Sequence, residues 1–102
     1  MALVRWTFES QRWLREISDY IKDQGYPDRA PNVILKLIER GGSLSSMPER
    51  GSIYLNRDGK DIRVIYYGHY RIAYWVNADT VFILGIFNGR MQLENYIKIV
   101  ME

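Results

Sequence analysis

The sequence predicts an α+β fold: an N-terminal strand, an antiparallel pair of helices, and then an antiparallel β-meander that completes one sheet. Two amphipathic segments with apolar residues at helical spacing lie between Thr7 and Gly41. The second half holds four runs rich in β-branched and aromatic residues, separated by turn sequences. With 102 residues and 47% hydrophobic content, the chain can bury one modest core, so we expect residues 1–102 to form a single domain.

The chain opens with a short strand that leads into a helix. Residues 3–6 form the expected strand, and Thr7 followed by Glu9 suits a helix cap with an acidic first turn. The apolar residues of this helix recur at helical spacing, and they are Leu14, Ile17 and Ile21. Gly25 and Pro27 should end the helix.

A second helix should start near Asp28, because Pro31 is tolerated only in a first turn. Its apolar stripe consists of Ala30, Val33, Ile34, Leu37 and Ile38. Gly41 and Gly42 are expected to stop it. Two amphipathic helices joined by a short turn cannot bury both stripes against each other alone, so they should pack on a sheet.

Four strands are expected to supply most of that sheet, at Ile53–Arg57, Asp61–Tyr67, Tyr70–Val76 and Thr80–Phe87. The intervening turns are Asp58-Gly59-Lys60, Gly68-His69 and Asn77-Ala78-Asp79, and Asp-Gly between β-rich runs is a strong hairpin signal. The last run is apolar on both faces, which is typical of a central strand. We expect the N-terminal strand to pair beside it.

Composition narrows the possible chemistry. The chain has no cysteine and one histidine, His69, so we expect no metal site and no cofactor. The N-terminal sequence resembles neither a signal peptide nor a membrane span, so the cytoplasm is the expected location. A net charge of +2 suits an acidic protein segment or RNA, but it is low for a protein that binds nucleic acid through many phosphates.

Five short segments allow a comparison with known families. They are Met47-Pro48-Glu49-Arg50-Gly51, Ile62-Arg63-Val64, Gly68-His69-Tyr70-Arg71-Ile72-Ala73-Tyr74, Asp79-Thr80-Val81 and Ile83-Leu84-Gly85-Ile86-Phe87. In this order, and with Trp6-Thr7 ahead of the helices, they resemble the RelE/ParE superfamily of toxins from bacterial type II toxin–antitoxin systems over nearly the whole chain. The strand pattern is ParE-like.

This resemblance implies a small toxin that a cognate antitoxin holds inactive, in a toxin–antitoxin hetero-oligomer of the kind used in plasmid stabilisation. ParE-type members act on DNA gyrase, whereas RelE-type members cut mRNA on the ribosome. The gyrase interpretation leads here, because Ile62 and Val64 stand where the RelE-type enzymes carry lysines, and Asn88 stands where many members carry histidine. Whether the chain is an enzyme is left open.

The alternative, a ribosome-dependent mRNA endonuclease, would use three residues whose placement matches that branch: Arg71, Arg90 and Tyr96. The two arginines could clamp the phosphate, and Tyr96 could stack on a base or assist proton transfer. Each also has a structural interpretation, namely a sheet ion pair for Arg71 and core packing for Tyr96. A third possibility is a degenerate toxin that retains only antitoxin binding or operator co-repression.

Strand geometry adds two further expectations. If Gly68-His69 is a tight turn, Arg71 lies opposite Tyr66, and Arg63 then points to the other face and cannot share a site with Arg71. His69 should be a solvated turn residue. All the toxin interpretations predict an apolar, partly exposed groove between helices and sheet that an antitoxin segment covers.

Overall fold

The computed structural model describes residues 1–88 and contains one sheet with two helices packed on it. In chain order, its elements are β1 (Leu3–Trp6), α1 (Phe8–Asp23), α2 (Ala30–Gly42), a short 3-10 turn (Ser43–Ser45), β2 (Ser52–Arg57), β3 (Lys60–Tyr67), β4 (Tyr70–Asn77) and β5 (Thr80–Asn88). This order confirms the predicted α+β fold. The prediction of a single domain extends beyond the described residues and stays a prediction.

The strands lie in the order β1-β5-β4-β3-β2. Strands β2 to β5 form the predicted antiparallel meander, and β1 runs parallel to β5, with Leu3 opposite Thr80 and Trp6 opposite Ile83. The N-terminal strand therefore pairs with the last described strand, as predicted. Among the strands of residues 1–88, β1 and β2 lie at the two ends of this order.

A β-bulge explains why β5 is apolar on both faces. Ala73 pairs with Gly85 but the next residue of β4, Tyr74, pairs with Ile83, so Leu84 is an extra residue in β5. The bulge shifts the alternation of side chains by one position. Strand β5 carries Val81, Ile83 and Ile86 in the core cluster under the helices and Phe82, Leu84 and Phe87 in a second cluster on the other face.

The turns of the meander are tighter than the sequence suggested. Lys60 pairs with Arg57, and Asn77 pairs with Thr80, so both connections contain two residues rather than three. Asp58 and Gly59 have φ angles of 53° and 81°. Positive φ at both positions allows a two-residue turn whose twist matches that of the flanking strands. Lys60 therefore belongs to the strand rather than to the turn. Gly68-His69 is a two-residue turn, as predicted.

Both ends of α1 agree with the prediction. The side chain of Thr7 accepts a hydrogen bond from the backbone of Ser10, and its hydroxyl donates to the carbonyl of Ile83 on β5 at 2.7 Å. At the other end Gly25 has a φ of 94°, and its N–H donates to the carbonyl of Lys22 while that of Tyr26 donates to Ile21. The cap therefore fixes where α1 starts against the sheet.

Helix α2 agrees with the prediction at its start and departs from it at its end. It begins at Ala30, near the predicted Asp28 and with Pro31 in its first turn, but it runs through Gly41 and Gly42 instead of stopping at them. Gly41 is buried beneath the indole of Trp6, where an added Cβ would lie 2.5 Å from Cζ2. This glycine serves close packing between α2 and β1 and does not break the helix.

The main core lies between the helices and the sheet. Its buried side chains are Ile17, Leu37, Leu44, Ile65, Ile72, Tyr74, Val81, Ile83 and Ile86. Burial of apolar surface on this scale is the dominant favourable contribution to folding. Of the helices that the structure describes, none is long and apolar enough to cross a membrane.

Candidate functional site

Arg71 lies on the face of the sheet that turns away from the helix pair. On β4 it pairs with Tyr66 of β3 and Phe87 of β5, and its side chain is partly buried. The guanidinium carbon lies 5.8 Å from the centroid of the Tyr54 ring on β2. A cation at this distance from an aromatic face is attracted by the ring. Arg71 therefore belongs to a cationic and aromatic patch, which we define as Arg71, Tyr54 and Tyr66.

Arg63 lies on the opposite face, as the strand geometry predicted. It pairs with Tyr74, whereas Arg71 pairs with Tyr66. Its Nη1 atom donates hydrogen bonds to the carbonyl of Gly51 at 2.7 Å and to that of Glu49 at 3.1 Å. Arg63 thus anchors the loop before β2, and its role in the described structure is structural.

Arg90 and Tyr96, the other two predicted site residues, lie outside the described residues. The structure therefore locates only one member of the predicted group, Arg71. The proposal that the three act together on RNA stays a prediction. Within residues 1–88, no three histidine or acidic side chains come together in a way that could hold a metal ion.

His69 is exposed at the β3–β4 turn, as expected for a turn residue. It lines a pocket of about 440 Å³ together with residues of α1 that include Trp13, Glu16 and Tyr20. Burial raises the pKa of the neighbouring Tyr70, with a smaller contribution from Tyr20. The pocket joins the turn to α1 and contains neither Arg71 nor Tyr54 among its described lining residues.

Several aromatic side chains pack against one another in the second cluster. The ring of Trp75 stacks on Phe82 at 5.5 Å, and the ring of Trp13 meets that of Phe87 at 5.3 Å. Tyr66 is different, because 56% of its surface is exposed beside Arg71. Exposed tyrosines suit protein interfaces, since the ring is apolar and the hydroxyl can still form hydrogen bonds.

An apolar groove of about 470 Å³ runs between the two helices. Its floor includes Leu14 and Ile34, and its rim includes Leu35 and Ile38, which are 52% and 42% exposed. A second hollow continues the groove toward β1 and is lined by Trp6, Gln11, Leu14, Arg15 and Ile38. The groove was predicted between the helices and the sheet, but among the described residues it lies between the two helices, and the adjoining hollow meets the sheet at Trp6. Such a groove can receive an amphipathic segment.

Sequence reasoning missed Tyr54 as a neighbour of Arg71. The pairing of β2 with β3 shifts between Ile53 and Leu55, so Tyr54 is an extra residue at a bulge. No glycine or proline in β2 signals this irregularity. Sequence reasoning also missed that Arg40 of α2 and Arg50 of the loop before β2 line one pocket, because the two residues come from different elements.

Comparisons with known proteins agree with this architecture. The model of one protein family, described as the ParE toxin of the type II toxin–antitoxin system parDE, matches residues 4–93. No curated protein matches the chain.

Two solved structures illustrate the likeness. A structure of the chromosomal ParDE toxin–antitoxin system from P. aeruginosa aligns with a TM-score of 0.72 and 18% identity, covering 86% of this chain and 96% of that chain. The toxin–antitoxin complex RelBE2 from Mycobacterium tuberculosis aligns with a TM-score of 0.64 and 25% identity, covering 85% of this chain and 96% of that one. At 18% identity the first likeness shows the fold alone.

Proposed function

The chain belongs to the ParE toxin family of type II toxin–antitoxin systems, and we propose that it arrests growth by binding DNA gyrase. The family match over residues 4–93 carries this proposal, because it covers both helices and every described strand apart from the first residue of β1. The toxin acts in the cytoplasm, where its target lies.

The chemistry of the described patch supports binding over RNA cleavage. Proton transfer near neutral pH is usually assigned to histidine, and the chain has one histidine, His69. That residue lines the pocket against α1, whereas Arg71 contacts Tyr54. An arginine beside two tyrosines is a common composition for the centre of a protein interface. The patch therefore serves as the contact surface for gyrase.

The second part of the proposal concerns the antitoxin. Both solved relatives are named as toxin–antitoxin systems or complexes. In this chain the apolar groove between α1 and α2 exposes Leu35 and Ile38 to solvent. An amphipathic helix or extended segment of a cognate antitoxin occupies this groove and removes that apolar surface from water.

The second candidate function is ribosome-dependent cleavage of mRNA. Two observations favour it: the likeness to RelBE2 at 25% identity, and the position of Arg71 on a sheet face where it could reach a phosphate. In this alternative Arg71 acts with Arg90 and Tyr96 to hold the substrate and assist in-line attack by the 2′-hydroxyl.

The discriminating experiment is pulse incorporation of labelled thymidine and labelled methionine in cells after brief induction of the toxin. We expect thymidine incorporation to fall first, while methionine incorporation persists. Arg71→Ala should weaken this effect. Arg29→Ala, which changes an exposed arginine in the loop that connects α1 to α2, should not. Inhibition of DNA supercoiling by purified gyrase, tested with the same variants, identifies the target directly.

The other outcomes are equally informative. An early fall in methionine incorporation that Arg71→Ala abolishes would replace the gyrase proposal with mRNA cleavage. If neither label falls although the protein accumulates, the chain is a degenerate toxin that retains only antitoxin binding or operator co-repression.

A further inference from the structure

The sheet has a notch at one corner, where β3 is longer than its edge partner. Strand β2 begins at Ser52, opposite Val64, so no described strand pairs with residues 65–67 on that side. Tyr67 and Tyr70 close a two-residue hairpin as a hydrogen-bonded pair. Hydrogen-bonded and non-hydrogen-bonded pairs alternate along an antiparallel ladder, so the N–H and C=O of Tyr66 point away from β4. The backbone of Tyr66 therefore faces the notch.

A pocket of about 400 Å³ occupies this notch. Arg40 from the last turn of α2 and Arg50 from the loop before β2 line it, together with Ser52 and Tyr66. None of its described lining residues is acidic. Neither arginine takes part in the ion pairs of the described residues, which join Arg12 to Glu9 and Glu16, and Lys36 to Glu39. The pocket therefore presents two guanidinium groups without a carboxylate partner.

Arg50 is held in place before any ligand binds. Its Nη2 atom donates to the hydroxyl of Ser43 at 2.8 Å, and that hydroxyl donates to the carbonyl of Arg40 at 2.6 Å. Its backbone N–H donates to the carbonyl of Met47 at 3.1 Å. A side chain fixed in this way loses less conformational entropy when it binds.

The neighbouring contacts fix the loop as a whole. Arg63 donates to the carbonyls of Glu49 and Gly51 on either side of Arg50. Glu49, the acidic residue beside Arg50 in the chain, does not line the notch; it lines a neighbouring pocket with Val76 and Ala78, which Arg50 also borders. Arg50 therefore lines the notch without an acidic neighbour there, and the loop around it stays anchored to β3.

We propose that this arginine notch, formed by Arg40, Arg50 and the Tyr66 edge of β3, binds an extended acidic segment of the cognate antitoxin. A carboxylate sits between the two guanidinium groups, whose planar forks match carboxylate geometry. The backbone of the segment pairs with Tyr66, as a peptide does when it adds to a sheet edge. The identity of the partner rests on the proposed function, whereas the peptide-binding chemistry does not.

A peptide fits the notch better than a nucleic acid does. The exposed backbone of a strand donates and accepts hydrogen bonds at the spacing of another strand. Tight binding to a phosphate backbone depends on many cationic contacts, and the chain has a net charge of only +2. The exposed ring of Tyr66 offers apolar contact to a neighbouring side chain of the peptide.

The test uses the purified full chain and two synthetic peptides with blocked ends, followed by NMR. The acidic probe is acetyl-Val-Asp-Val-Glu-Val-amide, and its matched control replaces the two acids by Asn and Gln. We expect the acidic probe to shift the Nε–Hε signals of Arg40 and Arg50 and the amide signal of Tyr66 in a saturable way. The control probe should bind at least about tenfold more weakly.

Three variants locate the binding. Arg40→Gln and Arg50→Gln should each weaken the acidic probe, and Arg29→Gln should leave it unchanged. If Arg50→Gln disturbs the loop, Arg40→Gln still tests the notch, because Arg40 is exposed and its replacement should leave the fold intact. The dispersion of amide signals reports whether each variant is folded.

Several results would overturn the proposal: no saturable shift, equal binding of both peptides, or unchanged binding in a folded Arg40→Gln variant. A short single-stranded RNA that shifts the same signals and binds more tightly than the acidic probe would also overturn it. Because the assay contains neither gyrase nor ribosome, a failure to bind the peptide does not contradict the proposed action on gyrase. In the same way, a failure of the gyrase proposal does not contradict peptide binding at the notch.

Discussion

The hydroxyl oxygen of Tyr74 accepts a hydrogen bond from the backbone N–H of Gly51 at 2.8 Å, which joins the loop before β2 to the middle of the sheet. Both residues are buried. A Cβ at position 51 would lie 2.7 Å from that hydroxyl and 2.8 Å from the carbonyl of Val64, so only glycine allows this close approach. The loop that carries Arg50 is thus fixed through its neighbour.

Removal of the Tyr74 hydroxyl should destabilise the fold. In Tyr74→Phe the buried N–H of Gly51 loses its partner, and we expect the free energy of unfolding to fall by about 1–3 kcal/mol. Urea unfolding followed by circular dichroism measures the change. Tyr66→Phe, at an exposed tyrosine of β3, should stay within about 0.5 kcal/mol of the unmodified chain. Equal effects of the two variants would show that the hydrogen bond contributes little.

Alkaline pH should weaken the fold through the same tyrosine. Burial raises the pKa of Tyr74 above its usual 10.0, although the Gly51 hydrogen bond and the charges of Arg63 and Arg50 oppose this shift. Because the folded-state pKa exceeds the unfolded one, the stability contribution is complete below 10.0 and is lost as pH rises through the folded-state pKa. Tyr70, whose pKa burial also raises, acts in the same direction.

The measurement for this prediction is the free energy of unfolding in urea at several pH values between about 8 and 11. The unmodified chain should lose stability more steeply at the alkaline end than Tyr74→Phe does. Some loss should remain in the variant because of Tyr70. A variant that loses stability as steeply as the unmodified chain would contradict this assignment.

Two adjacent glycines of α2 should respond in opposite ways to alanine. Gly41→Ala places a Cβ 2.5 Å from Trp6 Cζ2, and we expect the free energy of unfolding to fall by about 1–3 kcal/mol. At Gly42 an added Cβ meets nothing within 4 Å, so Gly42→Ala should gain about 0.5 kcal/mol from helix propensity. Thermal unfolding of both variants tests the pair. Stabilisation by Gly41→Ala would show that Trp6 moves aside easily.

This pair also shows why the sequence predicted most of the fold but not the end of α2. Periodicity and turn residues indicated every strand and both helices of residues 1–88, because these signals are local. Whether a glycine stops a helix or packs within it depends on a distant partner, which here is Trp6 on β1. Local sequence does not contain that information.

The candidate site was predictable to the same limited extent. The opposite orientations of Arg63 and Arg71 follow from the two-residue alternation of a strand once the turn at Gly68 is known. The approach of Tyr54 to Arg71 depends on a bulge in β2. The arginine notch depends on the point at which β2 starts opposite β3, and strand ends are not encoded by periodicity.

The β4–β5 turn should gain stability from a glycine. Ala78 has a φ of 55°, a left-handed conformation that costs an alanine about 1–2 kcal/mol. Part of the gain in Ala78→Gly is lost to the greater freedom of the unfolded chain, so we expect a net increase of about 0.5–1 kcal/mol. Asn77→Gly, one residue earlier and without positive φ, is the matched control and should lose stability. Urea unfolding compares the two, and a loss with Ala78→Gly would contradict the expected relief of strain.

The helix groove should be separable from the toxic surface. Ile38→Asp puts a charge on the rim of the groove, where the side chain is 42% exposed, so the chain should fold and still arrest growth. Antitoxin binding should weaken at least about tenfold, because a carboxylate would be buried against apolar contacts. Phe8→Asp is the matched control: its side chain is 78% exposed at the start of α1, and it lines neither the groove nor the adjoining hollow. Growth with and without co-expressed antitoxin is measured for both variants. If the antitoxin rescues cells from Ile38→Asp as fully as from Phe8→Asp, it does not depend on this groove, and the apolar rim has another role.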